Sequence, residues 1–96
     1  MSDINVSCYT AFDGWNCHVT VSDADGSQTE HSVSVNRAEL HKYSPAEADV
    51  QALVKASIGF LLEREPKGSI LPRFKLSDIE RYFPDYRDAI AERLGE

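Results

Sequence analysis

The 96 residues predict a single α+β domain spanning 1–96. Its parts are a three-stranded antiparallel β-meander, one long amphipathic helix, and two short C-terminal helices. Three observations point there. Apolar residues recur at every second position through the first third of the chain, broken by glycine-bearing turns. A stripe with helical period then runs from Ser44 to Glu65. Short segments with capping signals follow, punctuated by Pro66, Pro72 and Pro84. Period two belongs to strands and period 3.6 to helices, so a sheet half precedes a helical half.

Ile4, Val6, Cys8, Thr10 and Phe12 share one strand face, with Asn5, Ser7, Tyr9 and Ala11 on the other. Asp13-Gly14 predicts a two-residue hairpin loop, because both residues tolerate the positive φ of a tight turn. Trp15, Cys17, Val19 and Val21 continue the alternation. Asp23-Ala24-Asp25-Gly26 turns the chain, and Thr29, His31, Val33 and Val35 mark a third strand. With Asp13 and Gly14 in the loop, Cys8 faces Val19 and lies diagonal to Cys17. That separation of about 7–8 Å suits a disulfide poorly. Two buried, unreactive thiols are expected, and a different loop length would change this.

Asn36 with Glu39 at its third position predicts a short helical turn over 36–43. For the main helix, Ser44 can cap, Pro45 fits the first helical position and Glu47 completes a capping box. Val50, Leu53, Val54, Ser57, Ile58 and Leu61 then fall on one face, widened by Phe60 and Leu62. Pro66 stops the helix. About 20 residues make a rod of roughly 30 Å, which must lie on the apolar face of the sheet. After the turn Pro66-Lys67-Gly68-Ser69, the residues Ile70, Leu71 and Phe74 are expected to fasten the chain to the core. Ser77 and Glu80 predict another capping box, opening a short helix through Tyr82 or Phe83. Pro84 and Asp85 start a last helix with Tyr86, Ala89, Ile90 and Leu94 inward and Gly95 as its stop.

A hydrophobic content of 42% with a long amphipathic helix argues for a folded globule. No apolar run approaches the ~18 residues of a membrane span, so no membrane partner is expected. MSDINVSCYT lacks the basic start and apolar core of a secretion signal, which makes the cytoplasm the expected location. The net charge of −6 is uneven: residues 1–60 carry −5 and residues 61–96 carry −1. A nucleic-acid binder needs a cationic surface and the strand half does not supply one, which makes duplex binding a minor reading, so nucleic acid is not expected as a partner.

His18, His31, His41, Cys8, Cys17 and the aspartates are the potential metal ligands, but no tight pair such as C-x2-C occurs. Cys17 and His18 are adjacent on a strand and point to opposite faces. In Asp23–Ser27 the glycine stands fourth where a calcium loop needs it sixth, and Ser34 occupies the twelfth place. No metal and no cofactor are therefore expected. No G-x-S-x-G, H-E-x-x-H or glycine-rich phosphate loop is present, and no catalytic residue is assigned. Arg64, Lys67, Arg73 and Lys75, with Phe74 among them, form the one basic cluster, offset by Glu63 and Glu65. Its commoner use is a solvated rim of local ion pairs; its functional use is a partner-binding patch. Tyr9, on the solvent face of the first strand, is the other candidate anchor for a partner. The first or third strand also presents an open edge to which a partner or second copy could add.

Glu63-Arg64-Glu65-Pro66, Ser69-Ile70-Leu71, Arg73-Phe74 and Ile79-Glu80-Arg81-Tyr82-Phe83-Pro84 fall within one block, Phe60–Tyr86. It resembles a segment that recurs in short uncharacterised bacterial proteins with a β-rich first half. The resemblance implies a bacterial or phage origin and a one-domain fold, and brings no catalytic residues. In strand order alone the chain is also similar to the small sheet-plus-helix domain of HicB antitoxins. The expected role is a small non-catalytic bacterial protein that acts as a protein–protein interaction module or homo-oligomer. The alternative is an acidic antitoxin-like or anti-defence inhibitor that engages a basic, nucleic-acid-handling protein.

Overall fold

The computed structural model describes residues 3–43 and 49–95. Three long strands, β1 (Asp3–Ala11), β2 (Gly14–Ser22) and β3 (Gln28–Asn36), pair antiparallel in chain order. Their inward residues are those of the period-two pattern. Cys17, Val19, Val21, His31, Val33 and Val35 are buried, and Ile4, Val6 and Cys8 pack half-buried beside them.

The first hairpin differs from expectation. Its loop is Phe12-Asp13, closed by the pair Ala11–Gly14. Gly14 is needed inside the strand rather than in the loop. At φ +155°, a Cβ there would lie 2.1 Å from the Val35 carbonyl oxygen and 2.6 Å from Asn36 Cα. The Asp13 carbonyl also accepts a hydrogen bond from the Arg37 N–H at 3.1 Å, which ties the turn to the end of β3. Each β1 residue thus shifts by two positions along β2, which leaves the faces unchanged. Phe12 lies in the turn and is fully exposed instead of continuing the inward face. Cys8 now stands opposite Cys17, with Cα atoms 4.0 Å apart, and the two form a disulfide. The expected free thiols are overturned by this register.

A fourth strand, β4 (Arg73–Lys75), pairs parallel to β3 and gives the sheet order β1-β2-β3-β4. The expected three-stranded sheet is corrected accordingly. The Ser32 N–H donates to the Pro72 carbonyl at 2.8 Å and the Leu76 N–H to the Ser34 carbonyl at 3.0 Å. Buried His31 fixes the approach to β4. The Leu71 carbonyl can only accept, so Nδ1–H donates to it at 2.8 Å, and Nε2 accepts from the Thr29 hydroxyl at 2.8 Å. Ile70 and Phe74 are buried as expected, whereas the Leu71 side chain is exposed.

Helix α1 (Arg37–Tyr43) opens with the expected capping box. The Asn36 N–H donates to Glu39 Oε1 at 2.8 Å and the Glu39 N–H to Asn36 Oδ1 at 2.7 Å. The cap expected at Ser44, Pro45 and Glu47 lies outside the described residues. Helix α2 (Val50–Leu62) begins at Asp49, whose Oδ1 accepts from the Ala52 N–H at 2.7 Å, so it has 13 residues rather than about 20. Its stripe of Val50, Leu53, Val54, Ser57, Ile58, Phe60 and Leu61 is buried between the strands β1 and β2 and the C-terminal part of the chain, where Ser57 and Phe60 meet Tyr86. After a 3-10 turn at Lys67–Ser69 and β4, helix α3 (Asp78–Tyr82) and helix α4 (Tyr86–Gly95) complete the layer.

The capping box expected at α3 is absent. The Ser77 side chain makes no cap bond, and its N–H donates instead to Glu39 Oε2 at 3.0 Å. Glu80 turns to α1, accepting from the Tyr43 hydroxyl at 2.7 Å and pairing with Lys42 at 3.0 Å. Beneath this link the rings of Tyr43, Phe60 and Tyr86 meet edge to face at 5.0 and 5.4 Å. Ser57 Oγ donates to the Leu53 carbonyl, so the Tyr86 hydroxyl, 2.6 Å away, donates to Ser57. Burial raises both tyrosines well above the usual phenol range.

Candidate functional site

Helix α2 packs on β1 and β2 with its buried stripe, and the outward residues of the sheet's central rows stay exposed or half-exposed. The register aligns these residues into rows. One row runs Ser7, His18, Ser32, Arg73 and the next Tyr9, Asn16, Ser34, Lys75, from β1 across to β4. All of them but Ser7 line a shallow trough of about 690 Å³. Tyr9 is 64% exposed at one side of it. His18 pairs with Glu30 at 3.2 Å.

Of the five residues expected at a partner-binding site, the fold brings Tyr9, Arg73 and Lys75 onto this one face. Neither the Arg73 guanidinium nor the Lys75 ammonium pairs with a carboxylate among the described residues, although the chain holds 16 acids. Arg64 and Lys67 are placed elsewhere and are occupied. The Arg64 guanidinium bonds Asp85 at 2.7 Å and lies 3.8 Å from the centre of the Phe60 ring. Lys67 is paired with Asp23, which joins the 3-10 turn to the β2–β3 turn. Both side chains are thus engaged in local ion pairs. Asp78, at the end of the trough, accepts from the Lys75 backbone N–H at 3.1 Å and faces Arg81 at 3.7 Å.

Asn16, His18, Ser32 and Ser34 were not anticipated at the site. Their outward alternation was readable, but not the identity of the strand beside β3. A second concavity of about 310 Å³ opens between the end of α2, the 70–74 segment and α3. It is mostly apolar, with exposed Leu71 and Tyr82 at its rim. Among the described residues no three His, Cys, Asp or Glu side chains come together in a metal-binding group. No helix of the described residues is long and apolar enough to cross a membrane.

Compared with known protein families, with curated proteins and with solved structures, the chain matches none.

Proposed function

We propose that this is a small, non-catalytic bacterial interaction module that works by strand addition at β1, with a second copy of the chain as its partner. The observation that carries the reading is the outer edge of β1. β4 covers the middle of the β3 edge, Ser32–Ser34, whereas among the described residues no strand pairs with the other side of Asp3–Ala11. The segment DINVSCYTA contains no lysine, arginine or proline and pairs with β2 residue for residue, without a bulge. Natural edge strands usually carry such devices to block pairing.

The register tells which groups are available. The short Cα separation at Cys8–Cys17 marks a non-hydrogen-bonded pair, so Cys8 directs its N–H and C=O away from β2. By alternation Ile4, Val6 and Thr10 do the same. A second β1 laid antiparallel alongside would satisfy these groups and continue the sheet.

Thr10→Pro removes one outward donor and leaves the β1–β2 ladder intact. Light scattering after gel filtration is expected to show a dimer for the parent and a monomer for the variant, with similar melting temperatures. A parent that stays monomeric at the highest attainable concentration rejects strand pairing. Association that fades steeply with salt favours the acidic antitoxin-like alternative, since backbone pairing is barely screened.

A chain with this role works in the cytoplasm. The Cys8–Cys17 disulfide pulls the other way, because cytosolic thiol buffers keep most cysteine pairs reduced. Mass spectrometry of protein alkylated during cell lysis measures which form the native host maintains.

A further inference from the structure

Strand addition at β1 uses backbone groups and leaves the bare outer face unexplained. That face holds an aromatic ring, a floor of short polar side chains and two cationic side chains that form no ion pair among the described residues. Tyr9 and His18 lie on the β1 and β2 side, Asn16, Ser32 and Ser34 in the middle, and Arg73 and Lys75 on β4. Among the described residues Lys42, Arg64, Lys67, Arg81 and Arg93 pair with an acid, and of the five cations that do not, Arg37, Lys55, Arg73, Lys75 and Arg87, only Arg73 and Lys75 line this trough. Asp78, the acid among the residues that line the trough, is engaged with the Lys75 backbone N–H and with Arg81.

The spacing is informative. Arg73 and Lys75 are two residues apart on one strand, about 7 Å. Tyr9 and Lys75 stand at the two ends of one row, three strand spacings or about 14 Å apart. A ligand that spans the trough therefore needs anionic groups at one end and a flat apolar face at the other. It also needs hydrogen-bonding edges between, to meet the Asn16 amide and the Ser32 and Ser34 hydroxyls.

We propose that the outer sheet face binds single-stranded nucleic acid, with a base stacked on Tyr9 and phosphates held by Arg73 and Lys75. Unpaired strands carry all three features in one repeating unit, and open sheet faces recognise them by stacking plus backbone charge. An acidic peptide would satisfy the two cations and make no use of the ring. A duplex buries its base faces and needs a wider cationic surface than this chain of net charge −6 offers. Binding is weak and confined to a short stretch of strand.

The test titrates the full chain into a fluorescein-labelled oligouridylate of about eight nucleotides, followed by anisotropy at low salt. An oligothymidylate of equal length is the second arm and separates RNA from DNA as the source. Saturable binding is expected, with log K falling against log salt at a slope of about −1.4 for two phosphates. Arg73→Ala or Lys75→Ala should each reduce that slope by about 0.7. Tyr9→Ala should weaken binding roughly tenfold and leave the slope unchanged. Thr10→Pro should bind like the parent, so failure at the β1 edge and failure here are told apart. All these side chains are exposed, and matching thermal melts control for folding. Absence of binding to both oligomers at low salt overturns the proposal. So does binding that is indifferent to Tyr9→Ala, or equal competition by an oligoglutamate, which would make the face an acidic-peptide surface.

Discussion

Gly14 is the residue on which the first hairpin turns. Its φ of +155° disfavours side-chain-bearing residues, and a Cβ would press on the β3 backbone, which cannot move aside as a flexible side chain can. Gly14→Ala is expected to destabilise the fold by about 2 kcal/mol or more in urea titration. The same contact explains why Asp13-Gly14 misleads as a turn signal. The dipeptide is a good two-residue loop by local conformational preference. Here the glycine answers instead to the approach of Val35 and Asn36, residues far along the chain. Asn36 and Glu39 show the opposite case. Both partners of that capping box sit within one turn, so it was readable locally and forms as read.

At the scale of elements, α2 supplies the largest apolar face, and Leu53 lies fully buried within it. Leu53→Ala removes most of a side chain from a close-packed site, a cost of about 2–5 kcal/mol. Leu53→Asp buries a charge with no partner and should abolish cooperative thermal unfolding altogether, as followed by circular dichroism. A variant that melts like the parent would show that this stripe does not face the core. The stripe was legible because helical period alone sets which side chains align. The start of the helix was not, since Asp49 caps it in place of an earlier residue. β4 was hidden for a different reason. Three residues after a proline carry no period, and its pairing partner lies about forty positions earlier.

For the whole molecule, Glu80 and Glu39 join α1 to the β4–α3 region. The Tyr43 hydroxyl bonded to Glu80, together with Lys42, holds the Glu80 carboxyl below its ordinary value of 4.5. A carboxyl depressed in the folded state adds stability that is present above its unfolded pKa. That stability is lost as pH falls through the lower folded value. Thermal melts across the acid range should therefore show a falling limb below about pH 4.5, and Glu80→Gln should make it shallower. An unchanged limb in the variant would remove this link from the account of acid unfolding.

By itself the sequence determined which residues face inward on the three long strands, the apolar stripe of α2, and the capping of α1. These follow from spacings of two to four residues, over which backbone geometry decides neighbours. Only the tertiary structure decided the hairpin register, the Cys8–Cys17 bond and the fourth strand. It also decided that Tyr9 shares a face with Arg73 and Lys75 but not with Arg64 and Lys67. Those outcomes depend on contacts between segments far apart in the chain. No local period encodes them, and close packing of the whole sheet against its helices selects among the pairings that local preference leaves open.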